Sequence, residues 1–223
     1  MRVEQIETAL AAHGLIARGG FHPASADDVP GDPATLVMVG NAGPDMWAAF
    51  DRVRSDYVDN PNPLDAWISD ALTAVAADVG ATPLFPFGGP PHLPFQRWAQ
   101  RAEAVHPSPV GVLIHPEFGL WHAYRGALAF SEKLELPEPS ARPSPCDSCA
   151  DKPCLSACPV SAFDGTAYDV PACVGHITET DSGDCIGQGC LARRACPVGR
   201  EYIYLPAQAR FHMRAFTGAQ ADD

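Results

Sequence analysis

The sequence predicts an α+β fold built in two parts, and three observations carry that reading. Residues 1–136 contain no cysteine and mix apolar positions at helical spacing with short continuous apolar runs, the pattern of a mixed α/β domain. All eight cysteines fall between Cys146 and Cys196, inside a second part spanning 146–223. Between the two, LPEPSARPSP (136–145) has four prolines in ten positions, so 137–145 reads as a stiff, extended connector.

Taken in order, Val3 to His13 places Val3, Ile6 and Leu10 on one helical face, and Gly14 supplies a stop. Thr35 to Val39 (TLVMV) is a continuous apolar run, which predicts a buried strand. A helix is expected from Pro44 into Arg54, with proline in its first turn. The clearest helix opens at Asn62-Pro63, with Asn62 as cap and Pro63 at the first helical position. Leu64, Trp67, Ile68, Ala71, Leu72, Val75 and Val79 then share one face, and Gly80 ends it. That stripe reads as core packing rather than a cofactor contact. Pro94 to Val105 is a further helix. Val110–Ile114 and Trp121–Phe130 are expected strands, joined through His115-Pro116-Glu117-Phe118-Gly119, where proline and glycine fit a tight turn.

Composition narrows the function. The 223 residues suit one large domain, or an ordinary domain with a small appendage, and 46% apolar residues are enough for a real core. No run approaches the ~18 apolar residues of a membrane span. The N-terminus MRVEQIETALAAHG has acidic residues within its apolar pattern and does not read as a signal peptide. The expected address is cytoplasmic. A net charge of −12 repels phosphate backbones and anionic lipid, so neither nucleic acid nor membrane is the expected partner. Such a surface favours docking to a basic face on a redox partner, or serves solubility alone.

The cysteines carry the chemistry. Cys146-x2-Cys149-x4-Cys154-x3-Cys158-Pro159 is followed by Cys173, then by Cys185-x4-Cys190-x5-Cys196-Pro197. So many thiols in so short a segment of a reducing-compartment protein point to metal. The spacing points to two 4Fe–4S clusters. A tight loop places three thiolates around one cluster, and the fourth comes from elsewhere. In two-cluster ferredoxins the cysteine before proline ligates the other cluster. By that rule Cys146, Cys149 and Cys154 go with Cys196, and Cys158 goes with Cys173, Cys185 and Cys190. Zinc in two tetrahedral sites is an open alternative, against which stand the cysteine–proline pairs and the small-residue helix LSACPVSAF. Disulfides, and one or two purely structural cysteines (Cys190 and Cys196 having the longest gaps), are the others.

These residues resemble a family. CDSCADKPCLSACPVSAF, the isolated cysteine in ACVGHITET and the closing trio ending in Cys-Pro resemble the C-terminal part of epoxyqueuosine reductases, which are cobalamin-dependent. Upstream, GVLIHPEFGLWHAYRGAL (111–128) resembles the matching stretch of those reductases and of CblC-type cobalamin-processing proteins. GFHP and TLVMV are also similar to CblC-type sequences. The resemblance implies a flavin-reductase-like (nitroreductase-related) α/β domain over 1–136, followed by a two-cluster ferredoxin-like domain. It implies cobalamin as a cofactor near His115 to Gly126, with His115, Gly119, Trp121, Tyr124 and Arg125 as candidate contacts. A guanidinium at Arg125 can bond amide or phosphate groups of a large polar ligand, and aromatics can pack on a corrin edge. The alternative is an ordinary ion pair beside core aromatics. His115 invites comparison with an axial cobalt ligand, but a hydrogen-bonded histidine at a strand end is the better reading. The chain is shorter than the reductases and has no identifiable counterpart of their catalytic carboxylate, which points away from a queuosine substrate and leaves a corrinoid partner.

Two functions follow. In one, an oxidoreductase takes electrons from a ferredoxin- or flavodoxin-type donor and reduces or processes a bound corrinoid. In the other, the chain is a dicluster electron carrier; the long α/β part favours the first. A flavin on that part is a third, lesser possibility.

Overall fold

The computed structural model of the chain describes residues 3–138, 141–179 and 184–221. Pro139 and Ser140 of the connector, and Thr180 of the ACVGHITET motif, lie outside them. The chain forms two compact units, Met1–Ala104 with His122–Ala141, and Val105–Trp121 with Arg142–Asp223.

In chain order, α1 (Val3–Ala11), β1 (Ile16–Phe21), β2 (Thr35–Ala42), α2 (Asp45–Asp51), α3 (Pro63–Val79), β3 (Thr82–Leu84) and α4 (Phe95–Ala102) belong to the first unit. The short strands β4 (His106–Pro107) and β5 (Leu113–Ile114) belong to the second, and β6 (His122–Phe130) returns to the first. The first unit's sheet is antiparallel throughout, in the order β1-β2-β6-β3. Its centre is the β2–β6 ladder, running from Thr35 opposite Phe130 to Ala42 opposite His122, with an irregularity between Val39 and Gly40.

Leu36, Val37, Met38 and Val39 are all buried, so β2 is covered on both faces, which is why its sequence is continuously apolar rather than alternating. On one face Leu36, Met38, Ala127 and Ala129 pack with Phe95, Trp98 and Ala102 of α4. α3 lies against β3 and β6 and packs with α1 through the expected apolar stripe. Gly80 ends α3 with φ of 69°, the left-handed cap its position requires. Asn62 occupies the N-cap position, but its side chain makes no capping bond; instead Asn60 Oδ1 accepts from the backbone N–H of Asn62 at 2.9 Å.

Several elements are shorter than expected; α4, for one, ends at Ala102 rather than Val105. α2 stops at Asp51, and a 3-10 turn over Arg54–Tyr57 follows. Of the strand expected over Val110–Ile114 only Leu113 and Ile114 pair, because Ser108 to Val112 close a loop with Gly111 at φ of 80°. The segment Val105–Trp121, which strand pattern alone groups with the first domain, clusters with the cysteine-bearing residues. Its Val110, Ile114 and Leu120 share a core with Phe163, Ala192 and Cys196.

The second unit continues with α5 (Pro145–Ser148), α6 (Pro153–Ser156), α7 (Val170–Glu179), α8 (Cys185–Gln188), α9 (Leu191–Arg194) and α10 (Pro206–Ala221). Proline opens both α5 and α6, where its fixed φ suits a helix start and its missing N–H costs nothing. α10 packs on α8 and α7. Among the described residues no helix is long and apolar enough to cross a membrane.

Candidate metal centre

All eight cysteines are free thiols. Cys146 lies in α5, Cys149 directly follows it, Cys154 lies in α6 and Cys196 follows α9. These four line one small pocket, with Pro109 and Ile114 also in its wall and Lys152 as its cation. Burial pushes the thiols of Cys146, Cys154 and Cys196 above their usual range, and neighbouring thiols of the same set push the same way. Hydrogen bonds oppose this: the Ser144 hydroxyl acts on Cys146, the Leu155 N–H on Cys154 and the Val198 N–H on Cys196. Ser144 also caps α5, its Oγ accepting from Cys146 N at 3.3 Å.

The other four thiols form a second group. Burial raises Cys173, with Cys158 and Cys185 adding to it; burial likewise raises Cys190, with Cys185 and Cys173 adding. Here too N–H groups are aimed at sulfur. Ala162 N donates to Cys158 Sγ at 3.3 Å, and the N–H groups of Arg193 and Ala192 bond Cys190. Cys196 thus lines the pocket of Cys146, Cys149 and Cys154, and Cys158 lies near Cys173. The thiols line their sites rather than meeting at a point: among the described residues, no three His, Cys, Asp or Glu side chains converge to hold a single metal ion.

Sequence reasoning missed Tyr168. Tyr168 packs against the same core as Cys158 and Cys190, and the Cys173 thiol acts on its phenol. Burial is the main reason its phenol is held above the ordinary range. The ring lies nearly parallel to those of Phe163, at 4.5 Å, and Phe216, at 6.3 Å. The available signal was an aromatic residue in the otherwise small and polar DGTAYD between Cys158 and Cys173.

The five residues expected near a corrinoid divide between the units. His115, Gly119 and Trp121 lie in the second, Tyr124 and Arg125 in the first. His115 is buried and its Nδ1 accepts the backbone N–H groups of Glu117 and Phe118, each at 3.1 Å. Two donors on Nδ1 place the proton of the neutral ring on Nε2. Gly119 has φ of 57°, and a Cβ there would lie 2.0 Å from the carbonyl oxygen of Val198. At Gly199 a Cβ would meet the Phe118 carbonyl carbon at 2.3 Å. The HPEFG turn thus backs directly onto the loop that follows Cys196. Tyr202 reinforces the junction, with its ring 4.9 Å from Phe118 and its hydroxyl donating to Glu117 Oε1 at 2.9 Å.

Trp121 is buried, with the Arg193 guanidinium 4.6 Å from its ring and equally near that of Tyr204. Arg193 Nε donates to the Leu120 carbonyl at 2.8 Å, which fixes the stack to the loop carrying Cys190 and Cys196. In the first unit, Tyr124 donates to Glu103 Oε1 at 2.5 Å beneath the guanidinium of Arg18, which is 4.7 Å from its ring. Arg18 is 1% exposed and pairs with the same carboxylate at 2.5 Å. Arg125 Nε donates to Asn41 Oδ1 at 3.0 Å. Burial raises the carboxyl of Asp65, against the opposing charge of Arg125.

No protein-family model matches the chain, and no curated protein matches it. Several solved structures do. An epoxyqueuosine reductase with an epoxyqueuosine-modified tRNA-Tyr stem loop superposes with a TM-score of 0.54 at 16% identity, over 91% of this chain and 66% of that one. Epoxyqueuosine reductase from Streptococcus thermophilus gives 0.55 at 16%, over 93% and 69%. The C. elegans B12-trafficking protein CblC, a homologue of human MMACHC, gives 0.50 at 15%, over 94% and 90%. At these identities the likeness is one of fold, and the chain spans about two thirds of the reductases' length. One reductase was solved with RNA, so the expectation that this chain avoids nucleic acid rests on its net charge alone.

Proposed function

We propose that the chain is an iron–sulfur redox protein that holds two 4Fe–4S clusters and delivers low-potential electrons to a corrinoid. The observation that carries this reading is the gathering of eight free thiols into two groups of four. The ligands are Cys146, Cys149, Cys154 and Cys196 for one cluster and Cys158, Cys173, Cys185 and Cys190 for the other. The second unit is then the two-cluster ferredoxin-like domain, and the first the flavin-reductase-like one.

The donor set fits such clusters. Thiolates are the soft ligands that iron–sulfur centres take, and the Ala162 N–H already points at the Cys158 sulfur. When bound, the clusters supply one-electron storage at low potential, plant-type ferredoxins lying near roughly −400 mV. The protein's own part is to exclude water with Val110, Ile114, Leu120 and Phe163, and to offset the added negative charge with N–H donors.

The corrinoid is supported by the fold shared with CblC and the reductases. His115, Gly119, Trp121, Tyr124 and Arg125 are its candidate contacts on the family resemblance alone. A ferredoxin- or flavodoxin-type donor suits the potential, and a reducing compartment such as the cytoplasm keeps the thiols free. The test is anaerobic purification, iron and sulfide assay, and titration with cobalamin followed by visible spectra. About eight irons with a cobalamin spectrum moving toward the base-off form is the expected result. The same iron with an unchanged cobalamin spectrum leaves an electron carrier. Stoichiometric zinc without sulfide overturns the proposal.

A further inference from the structure

The loop that closes on the first thiol pocket is longer than ligand spacing requires. Bacterial two-cluster ferredoxins run C-x2-C-x2-C-x3-C-P, whereas here Ala150, Asp151, Lys152 and Pro153 all lie between Cys149 and Cys154. The added length carries Lys152, which stands in the pocket wall with Cys146, Cys149, Cys154 and Cys196. Its Nζ donates to the Cys146 carbonyl at 3.2 Å, so the half-buried ammonium turns back over the ligand loop instead of reaching into water. Among the described residues Lys152 forms no ion pair, and its acidic neighbours Asp147 and Asp151 are exposed.

Lys152 holds this place on unfavourable backbone. Its φ is 39° and its ψ 59°, a left-handed conformation that glycine enters at less cost than a long side chain. The chain that follows fixes it there: Pro153 opens α6, and the Lys152 carbonyl accepts the Leu155 N–H at 2.9 Å. A position that served only the turn would be met better by glycine. Strain kept at one defined residue is a pointer to function. What lysine has and glycine lacks is a stem long enough to reach Cys146 and a positive charge at its end.

We propose that Lys152 is a cation built into the first ligand loop to raise the reduction potential of the cluster on Cys146, Cys149, Cys154 and Cys196. One electron enters from the external ferredoxin- or flavodoxin-type donor; no bond is made or broken and the ammonium keeps its protons. Reduction adds a negative charge, and a fixed positive charge in a poorly solvated wall stabilises that state over the oxidised one. The rest of the chain works the other way, since a net charge of −12 opposes the uptake of an electron. The inference rests on the two-cluster reading proposed above.

The experiment is a redox titration of the loaded full chain, followed by electron paramagnetic resonance, in wild type, Lys152→Gly and Lys152→Arg, with thermal melts of the same chains freed of iron. Lys152→Gly removes the charge and relieves the backbone together, so the two effects separate. The expected result is about a tenfold loss of electron affinity, ~59 mV for a one-electron couple, at the cluster whose signal Cys146→Ala removes. The other midpoint and the iron and sulfide content stay unchanged, and the iron-free glycine variant melts no lower than wild type. Lys152→Arg keeps the wild-type midpoint. Lys152→Met, which retains the stem without the charge, carries the test if the glycine variant loads poorly. Unmoved midpoints in a loaded variant, two midpoints falling together, or Lys152→Arg shifting as far as Lys152→Gly overturn the inference and leave the two-cluster reading standing. So does an iron-free glycine variant that melts below wild type, which would assign the lysine to the fold. Wild-type protein without acid-labile sulfide defeats the two-cluster reading first, and the inference with it.

Discussion

Replacing Glu103 by alanine tests how the first unit tolerates a buried cation. Arg18 is 1% exposed, and Glu103 is its anionic partner at 2.5 Å. Weaker groups also reach it, among them His122 Nδ1 at 3.2 Å, the Asn41 carbonyl at 3.4 Å and the Tyr124 hydroxyl at 3.5 Å. Stripping a buried charge of its counter-ion costs about 3–5 kcal/mol. Coulomb's law gives a similar figure, roughly 4 kcal/mol for unit charges about 4 Å apart at an effective dielectric near 20. At about 2–4 °C per kcal/mol for a chain of this length, the melting midpoint falls by about 6–20 °C. Tryptophan fluorescence is the suitable probe, because Trp47, Trp67 and Trp98 all lie in the first unit. Arg18→Met combined with Glu103→Leu recovers most of the loss, since apolar replacement of a whole buried pair is close to neutral. A loss under ~1 kcal/mol in Glu103→Ala, the value of an exposed pair, would refute the reasoning by showing that water reaches the guanidinium.

The other predictions concern the thiol loops and the first unit's acid range. Cys196→Ala and Cys146→Ala each take a ligand from the same group, so each retains about four irons and loses the same cluster's resonance signal; loss of different signals contradicts the crossed grouping. Gly119→Ala forces a side chain into left-handed backbone against the Val198 carbonyl and costs roughly 1–3 kcal/mol in a thermal melt, whereas a change within ~0.5 kcal/mol shows that the loop after Cys196 yields. Asp27 is held below the usual carboxylate range chiefly by its hydrogen bond from Arg101, helped by the Ala24 N–H. A depressed value makes its contribution fully present above the unfolded value near ~3.9 and lost as pH falls through the folded one. The stability gap between wild type and Asp27→Asn in urea unfolding therefore narrows below about pH 4; a gap that stays constant from pH 6 downward, roughly two units above the unfolded value, rules this out.

What the sequence made legible was local. The TLVMV run and the α3 stripe carry their own periodicity, and Gly80 and Pro63 mark their ends with backbone chemistry that needs no partner. The cysteine spacing likewise announces itself. β1 was hidden because IARGGF places a charge and two glycines where a strand normally alternates. Arg18 is tolerable there because Glu103, far along the chain, neutralises it. β3 is three residues long and gains its identity from pairing with β6. Tyr168 and the role of the HPEFG turn were unreadable for the same reason: each depends on contacts with residues distant in sequence. His115 was read as a hydrogen-bonded histidine at a strand end, and its Nδ1 does accept the N–H groups two and three residues on.

The chain's path has a consequence for how the protein is made. β6, which closes the sheet between β2 and β3, is synthesised only after Val105–Trp121. That segment carries Val110, Ile114 and Leu120, whose covering residues Phe163 and Ala192 emerge much later. A gene fragment ending at the proline-rich connector would therefore display an apolar loop with nothing to clothe it. A fragment beginning there would lack the wall that Pro109 and Ile114 give to the first thiol pocket. The cysteine-bearing part is not a cassette that can be lifted out and grafted elsewhere; any functional transplant has to carry a piece cut from the middle of its neighbour.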